Sequence, residues 1–246
     1  MNKIGKYEFL AEPFHCDFSS RLSVPNLGNH MLNAADFHST DRGFGMKYLL
    51  TVQRAWVLSR LAIEVEDMPG MYDRFSVETW VESAMKYFTN RNFRVAGEDG
   101  KVYAWGRSVW AMIDTVNRHP QDIYDIEEGA IEKWIEKEYE CPIEKCGRVA
   151  MSDGAQLVKR IETAYSDVDI NGHINSVKYI EHVLNLWSVD WYREHRLRRL
   201  EIAYVAEAHG GDRLSLYKEQ TNELEYYVRI VREDGTETCR SKVVFK

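Results

Sequence analysis

The chain has few cysteines, no excess of positive charge and no long apolar run. Its four cysteines are scattered along the chain. Cys141 and Cys146 have four residues between them, but no second pair or neighbouring histidine completes a zinc-binding set. We therefore expect free thiols in a reducing compartment. Lysine and arginine number 32 against 39 acidic residues, and a net charge of -7 disfavours bulk nucleic-acid binding, which needs a basic surface. No stretch is apolar over the length that a bilayer span requires.

The first residues, MNKIGKYEFL, also lack a targeting signal. They have neither the apolar core of a signal peptide nor the Arg- and Ser-rich character of a transit peptide. We expect a bacterial cytoplasmic protein. With 246 residues, 44% of them hydrophobic, the chain can bury one large core or two smaller ones.

Strand-like segments rich in β-branched and aromatic residues follow a helix in each half of the chain. The first half is predicted as strand, helix, then four strands, and the second half repeats this order. The predicted helices are residues 29–42 and 174–191. The predicted strands are residues 49–64, 74–83, 87–95 and 102–114, then 158–165, 200–205, 213–220, 225–232 and 237–245. The segment between the halves holds Pro120, a charged helical stretch at 127–139 and Pro142, and is long for a connection inside one domain. We predict domains at 1–117 and 152–246, joined by a linker at 118–151.

A polar motif, SDVDINGHINSVKY, precedes the second predicted helix. Asp169, Asn171 and His173 occupy every second position, so an extended backbone would place them on one face. They would meet where a helix begins, with its unpaired N–H groups and favourable dipole. Such a site can polarise a carbonyl and activate water. On the residues alone, capping and turn roles for the Asp and Asn, and a core or capping role for the His, explain the motif equally simply.

Four blocks of this sequence, in the same order, resemble the acyl-ACP thioesterase family, which is best known from plant plastids and has bacterial relatives. The blocks are RAWVLSRLAIEVEDMPGMYDRFSVETWVES (54–83), GRSVWAMIDTVNRHP (106–120), SDVDINGHINSVKYIEHVLN (166–185) and EIAYVAEAHGGDRLSLY (201–217). The resemblance implies an α+β double hotdog, in which two antiparallel sheets each wrap around a central helix. It assigns acyl-chain binding to the first half, where Leu32, Ala35 and Trp56 are candidates for a tunnel wall or for plain core. It assigns catalysis to the second half.

The resemblance further implies hydrolysis of fatty acyl-ACP to free fatty acid and carrier protein, without metal or organic cofactor. Glu207 matches a catalytic-site position of the family. Ala208 follows it where plant members commonly have a Cys, which disfavours a thiol nucleophile here. Our hypothesis is that Asp169 and His173 orient and deprotonate water, while Glu207 holds the water or the imidazole. Asn171 would position the substrate carbonyl or the imidazole, and the helix N-terminal amides would receive the oxyanion.

Alternatives in three other classes stay open: an acyl-CoA thioesterase, a non-catalytic acyl-binding hotdog module and a hotdog dehydratase. The expected partner is an acyl carrier protein with a phosphopantetheine-linked acyl chain, and the chain would be a monomer or homodimer. A basic cluster, Arg193, Arg196, Arg198 and Arg199, would dock that acidic partner or simply be solvated. His30 and His38 lie around the first helix, which we place at the position of the catalytic segment in the first, non-catalytic repeat.

Overall fold

The computed structural model describes residues 2–246, which form two compact units. The first comprises the chain up to Ser59 together with Ile63–Lys145, and the second comprises Arg60–Ala62 and Cys146–Lys246. Within the described part of the chain, no helix is both long and apolar enough to cross a membrane.

The first unit is an antiparallel sheet with a helix packed against it, as predicted. Its strands are β1 (Gly5–Leu10), β2 (Arg54–Val65), β3 (Arg74–Ala84), β4 (Phe88–Gly97) and β5 (Val102–Asp114), in the spatial order β1-β3-β4-β5-β2. Its helices are α1 (Val24–Thr40) and α2 (Met46–Thr51), with 3₁₀ segments at Pro13–His15 and Ile123–Trp134. Helix α1 packs against β1 and β3. Its inner face is made of Leu27, Gly28, Met31, Ala34, Ala35, His38 and Ser39.

The second unit has the same arrangement. Its strands are β6 (Gln156–Glu162), β7 (Leu197–Tyr204), β8 (Arg213–Asn222), β9 (Glu225–Arg232) and β10 (Glu237–Phe245), in the spatial order β7-β10-β9-β8-β6. Its helices are α3 (Ser176–Leu184) and α4 (Val189–Glu194), with a 3₁₀ turn at Tyr165–Asp167. The ring of Tyr179 on α3 packs edge-on against Tyr204 of β7.

Several sequence predictions of secondary structure were wrong in detail. Residues 46–51, partly predicted as strand, form α2, and the predicted helix 174–191 is broken into α3 and α4 at residues 185–188. The charged stretch at 127–139 is not a regular helix, because Glu127, Glu128 and Gly129 have positive φ angles that interrupt it. Helix α1 begins earlier than predicted, after an extended Ser23 at the N-cap, with Pro25 in the first turn, where its fixed φ is tolerated.

The predicted connector contributes to the core of the first unit. Its side chains Ile123, Ile126 and Ile131 pack in one buried cluster with Phe44, Leu49 and Met112. Trp56 packs against the same cluster and donates its indole N–H to the Phe44 carbonyl at 3.0 Å. A core role therefore accounts for this candidate tunnel residue, and the domain limits proposed above stay a prediction.

Candidate active site

The polar motif of the second unit is a closed turn, so the predicted extended backbone was wrong. The Asp169 N–H donates to the His173 carbonyl at 2.8 Å, and the Gly172 N–H donates to the Asp169 carbonyl at 3.0 Å. Gly172 has φ +82°, a left-handed conformation in which side chains are strained and glycine is not. An isolated bridge between Val168 and Ile174 closes the base of the turn. Chain reversal, rather than strand alternation, brings the motif residues near one another.

The carboxylate of Asp169 holds this turn. Its Oδ1 atom accepts the N–H of Asn171 at 2.8 Å and the N–H of His173 at 3.3 Å. The turn interpretation of Asp169 is therefore confirmed for its carboxylate, and the residue fixes the backbone from which the imidazole projects. Asn171 lies exposed on the turn.

His173 and Glu207 are brought together by tertiary structure. His173 Nε2 lies 3.3 Å from Glu207 Oε2, and the two side chains are 24% and 38% exposed. The Ile174 N–H donates to the Ala208 carbonyl at 2.8 Å, which ties the motif to the loop after β7. Arg232 on β9 holds that loop from the other side, through a 3.0 Å hydrogen bond to the Glu207 carbonyl. A partly exposed imidazole–carboxylate pair results, which water can reach.

His209 is a neighbour that the sequence reasoning missed. Its ring meets the His173 ring edge-on, with centroids 5.2 Å apart. Its backbone N–H donates to Asp212 Oδ2 at 2.8 Å, within the loop that carries Glu207. Its position two residues after Glu207 is the signal that could have indicated it.

Three of the amides around the start of α3 are already paired. The Asn175 side chain caps the helix by accepting the Val177 N–H at 2.9 Å. The Asn175 N–H itself donates to the Asp167 carbonyl at 2.8 Å, and the Ile174 N–H is held by Ala208. These donors are therefore not free to bind a developing negative charge.

A second acid–imidazole pair lies behind the motif. The buried Asp167 accepts the Ala164 N–H through Oδ2 at 2.8 Å, and its Oδ1 lies 3.5 Å from His182 Nε2. Burial lowers the pKa of His182 below its ordinary value, although Asp167 acts in the opposite direction. The pair ties the 3₁₀ turn before the motif to α3.

The first unit contains the same turn without the same chemistry. The Asp17 N–H donates to the Arg21 carbonyl at 2.8 Å, and the Ser20 N–H donates to the Asp17 carbonyl at 3.0 Å. Asp17 Oδ1 accepts the Ser19 N–H at 2.8 Å, as Asp169 does for its own neighbour. Residues 17–23 are therefore the counterpart of residues 169–175, which corrects the placement of His30 and His38 at that position.

Arg21 occupies in the first unit the place that His173 has in the second. Its Nη1 atom contacts Asp67 Oδ1 at 2.8 Å and the Met68 carbonyl at 2.6 Å. The Leu22 N–H donates to the Pro69 carbonyl at 2.9 Å, just as the Ile174 N–H donates to the Ala208 carbonyl in the second unit. An Asp that holds the turn thus belongs to the fold in both units, whereas the imidazole–carboxylate pair occurs at this position of the second.

The predicted basic cluster is divided. Arg199 is buried and donates through Nε to Glu201 Oε1 at 2.8 Å, and Arg193 donates to Asp190 at 2.5 Å. Arg196 and Arg198 are exposed. At most half of the cluster therefore presents unneutralised charge at the surface.

Family comparison identifies the chain. The models of the acyl-ACP thioesterase N-terminal and C-terminal domains match residues 5–128 and 151–246. The chain belongs to the acyl-ACP thioesterase family. A chloroplastic palmitoyl-acyl carrier protein thioesterase of Gossypium hirsutum is 27% identical over 195 residues, or 75% of this chain and 47% of that protein. The chain spans about half the length of the first curated relatives that it matches.

Solved structures of similar proteins extend over the whole chain. An acyl-ACP thioesterase from Bacteroides thetaiotaomicron is 48% identical with a TM-score of 0.93, covering 99% of this chain and 98% of that one. A 12:0-ACP thioesterase from Umbellularia californica has a TM-score of 0.86 at 18% identity, covering 100% and 98%, and shows the fold alone. The predicted α+β double hotdog is confirmed.

Proposed function

We propose that this chain hydrolyses fatty acyl-ACP to free fatty acid and carrier protein by direct attack of water on the thioester. The observation that carries the proposal is the His173–Glu207 pair, which is 3.3 Å apart and partly exposed. Family membership and the 48%-identical bacterial acyl-ACP thioesterase support the choice of substrate. The bacterial relative also favours a bacterial cytoplasmic location.

The pair suits the demands of thioester chemistry. The leaving thiol has a pKa of about 8.5, so it departs as thiolate with little help from an acid. Glu207 accepts the Nε2–H of His173, which leaves the lone pair on Nδ1 to take a proton from water. The water oxygen bonds to the carbonyl carbon, and the tetrahedral intermediate collapses by breaking the C–S bond. The proton held by the imidazole then passes to the departing thiolate.

Asn171 is our candidate for the oxyanion donor. The N–H groups of Ile174, Asn175 and Val177 are paired, whereas the Asn171 side chain is exposed next to His173 and carries two N–H donors. One such donor is typically worth ~10²–10³ in kcat. Asp169 acts through the backbone, because its carboxylate holds the turn that presents both neighbours.

Covalent catalysis by a thiol is disfavoured at this site. Ala208, buried, follows Glu207. Burial raises the pKa of the Cys146 thiol to about 11, so it stays protonated at neutral pH. We expect Cys146→Ala to leave turnover unchanged.

The test measures free fatty acid released from acyl-ACPs of graded chain length, beside the matching acyl-CoAs and 3-hydroxyacyl-ACPs. We expect release from acyl-ACP, lowered ~10²–10⁴-fold in kcat by His173→Ala and Glu207→Gln at unchanged melting temperature. Wild-type turnover in either variant would contradict the site. Preference for CoA would indicate the rival thioesterase, and binding without release would indicate an acyl-binding module.

A further inference from the structure

A cluster of metal-ligand side chains lies in the first unit. Glu12, His15 and His30 each offer one ligand atom, and these atoms all lie within 4.8 Å of one another. The first two flank the 3₁₀ turn Pro13–His15, and the third projects from α1. Two imidazoles and one carboxylate form a donor set typical of zinc sites that keep an open position.

The backbone holds His15 in place. Its carbonyl accepts the Ser23 N–H at 3.0 Å and the Asn26 side-chain amide at 3.2 Å, so the turn is tied to the first turn of α1. Its Nδ1 lies 2.5 Å from Glu12 Oε2. A carboxylate and an imidazole nitrogen therefore already face one another at a fixed point.

His30 brings an imidazole without hydrogen-bond partners to that point. Both of its ring nitrogens are buried and make no hydrogen bond within residues 2–246. The ring lies between Phe9 and Phe75, with centroid distances of 4.6 and 5.3 Å. Leaving such nitrogens unpaired costs free energy that a bound ion would recover.

The equivalent positions of the second unit carry an acid–imidazole pair instead of three metal-ligand side chains. Asp167 stands at the position of His15, since its carbonyl accepts the N–H of the N-cap Asn175 as His15 does for Ser23. His182 lies as far beyond Asn175 as His30 lies beyond Ser23, and it faces Asp167 at 3.5 Å.

Ala164 stands at the position of Glu12. The Asp167 N–H donates to the Ala164 carbonyl in the second unit, just as the His15 N–H donates to the Glu12 carbonyl in the first. The ordinary acid–imidazole pair of the second unit thus becomes, in the first, two imidazoles and an added carboxylate.

We propose that Glu12, His15 and His30 bind one divalent transition-metal ion of the zinc class. Ligand bonds of ~2.0–2.1 Å place tetrahedral donors about 3.3 Å apart. The close Glu12–His15 pair would open slightly and His30 would approach, with a water completing the set. The ion would pin the 3₁₀ turn to α1, and no step of the proposed hydrolysis passes through it.

The experiment titrates the metal-free full chain with Zn²⁺ by equilibrium dialysis and follows Co²⁺ by its visible absorption. We expect one equivalent per chain and a tetrahedral-type cobalt spectrum. Glu12→Gln, on an exposed side chain, and His30→Gln should each weaken binding by more than ~100-fold, since even outer-shell partners are worth ~10–100-fold.

His182→Gln is the matched control and should bind as wild type. No saturable binding, or binding that survives both Glu12→Gln and His30→Gln, would overturn the proposal. Circular dichroism of each variant checks that lost binding is not lost folding.

Discussion

At the scale of single residues, the two acids of the predicted site, Asp169 and Glu207, make different contacts. Glu207 faces the His173 imidazole at 3.3 Å, whereas Asp169 spends its Oδ1 on two backbone N–H groups of the turn. A carboxylate that orients backbone acts through geometry, and its charge is not needed for that.

Asp169→Asn therefore tests geometry against charge. The amide oxygen still accepts both N–H groups, so we expect kcat within about tenfold of wild type. Asp169→Ala removes the acceptor and should cost about 1–2 kcal/mol in the free energy of unfolding, besides activity. Steady-state kinetics and urea titration measure both.

Asp17→Ala is the matched control, because Asp17 holds the equivalent turn of the first unit. It should lower stability to a similar degree and leave kcat unchanged. An Asp169→Asn variant as inactive as His173→Ala would show that the charge acts directly on the reaction.

Asn171→Ala tests the proposed oxyanion donor. Because Asn171 is exposed, the melting temperature of the variant should equal that of wild type. Its kcat should fall ~10²–10³-fold, with KM little altered. Acyl-ACP kinetics beside thermal denaturation give both quantities. A normal kcat would remove Asn171 from the mechanism.

At the scale of elements, the turn before α1 and the turn before α3 each contain one residue in the left-handed conformation. Gly172 has φ +82° in the second unit, and Ser20 has φ 58° in the first. A Cβ on Gly172 would meet nothing within 4 Å, so its replacement is opposed by backbone strain and not by a clash. Tyr72 and Gly211 repeat this contrast in the loops before β3 and β8.

Gly172→Ala should destabilise the chain by about 1 kcal/mol, and Gly172→Asn by less, because Asn tolerates this conformation better. The free energy of unfolding from urea titration measures the difference. Ser20→Gly relieves the equivalent strain and should not destabilise. Equal stability of Gly172→Ala and wild type would mean that the turn does not impose this conformation.

At the scale of the whole molecule, buried histidines predict acid sensitivity. Burial lowers the pKa of His30 and His182, and it lowers the pKa of His38 from 6.5 to about 2. As pH falls below 6.5 the unfolded chain binds protons at these positions, whereas the folded chain binds them only at lower pH. Stability is therefore lost toward acid, by up to ~1.4 kcal/mol per pH unit for each histidine.

His38→Gln should flatten this dependence. Gln can keep the hydrogen bond that His38 Nε2 makes with the Lys3 carbonyl, but it does not titrate. Chemical denaturation at several pH values between 7 and 4 measures the slope. A slope equal to that of wild type would show that His38 is protonated in the folded chain.

The sequence by itself determined most of the architecture. β-branched and aromatic residues placed β5, β9 and β10 at their observed limits, and Asp234–Gly235 forms the turn between the last two strands, with Gly235 at φ +85°. Such patterns succeed because a strand with one buried face repeats its exposure every second residue. They failed for α2, where a short apolar run fits helix and strand alike. They also failed for the break between α3 and α4, where the Ser188 side chain caps a new helix by accepting the Trp191 N–H.

Only the tertiary structure decided which site residues meet. Residues 173 and 207 are far apart in the chain and touch because Ile174 bonds to the loop at Ala208. Asp169 holds a turn by accepting backbone N–H groups, whereas the alternating sequence pattern had predicted an extended strand there. Local sequence reports the exposure and backbone preference of neighbours, whereas contact between distant side chains depends on how the packed elements bring their loops together.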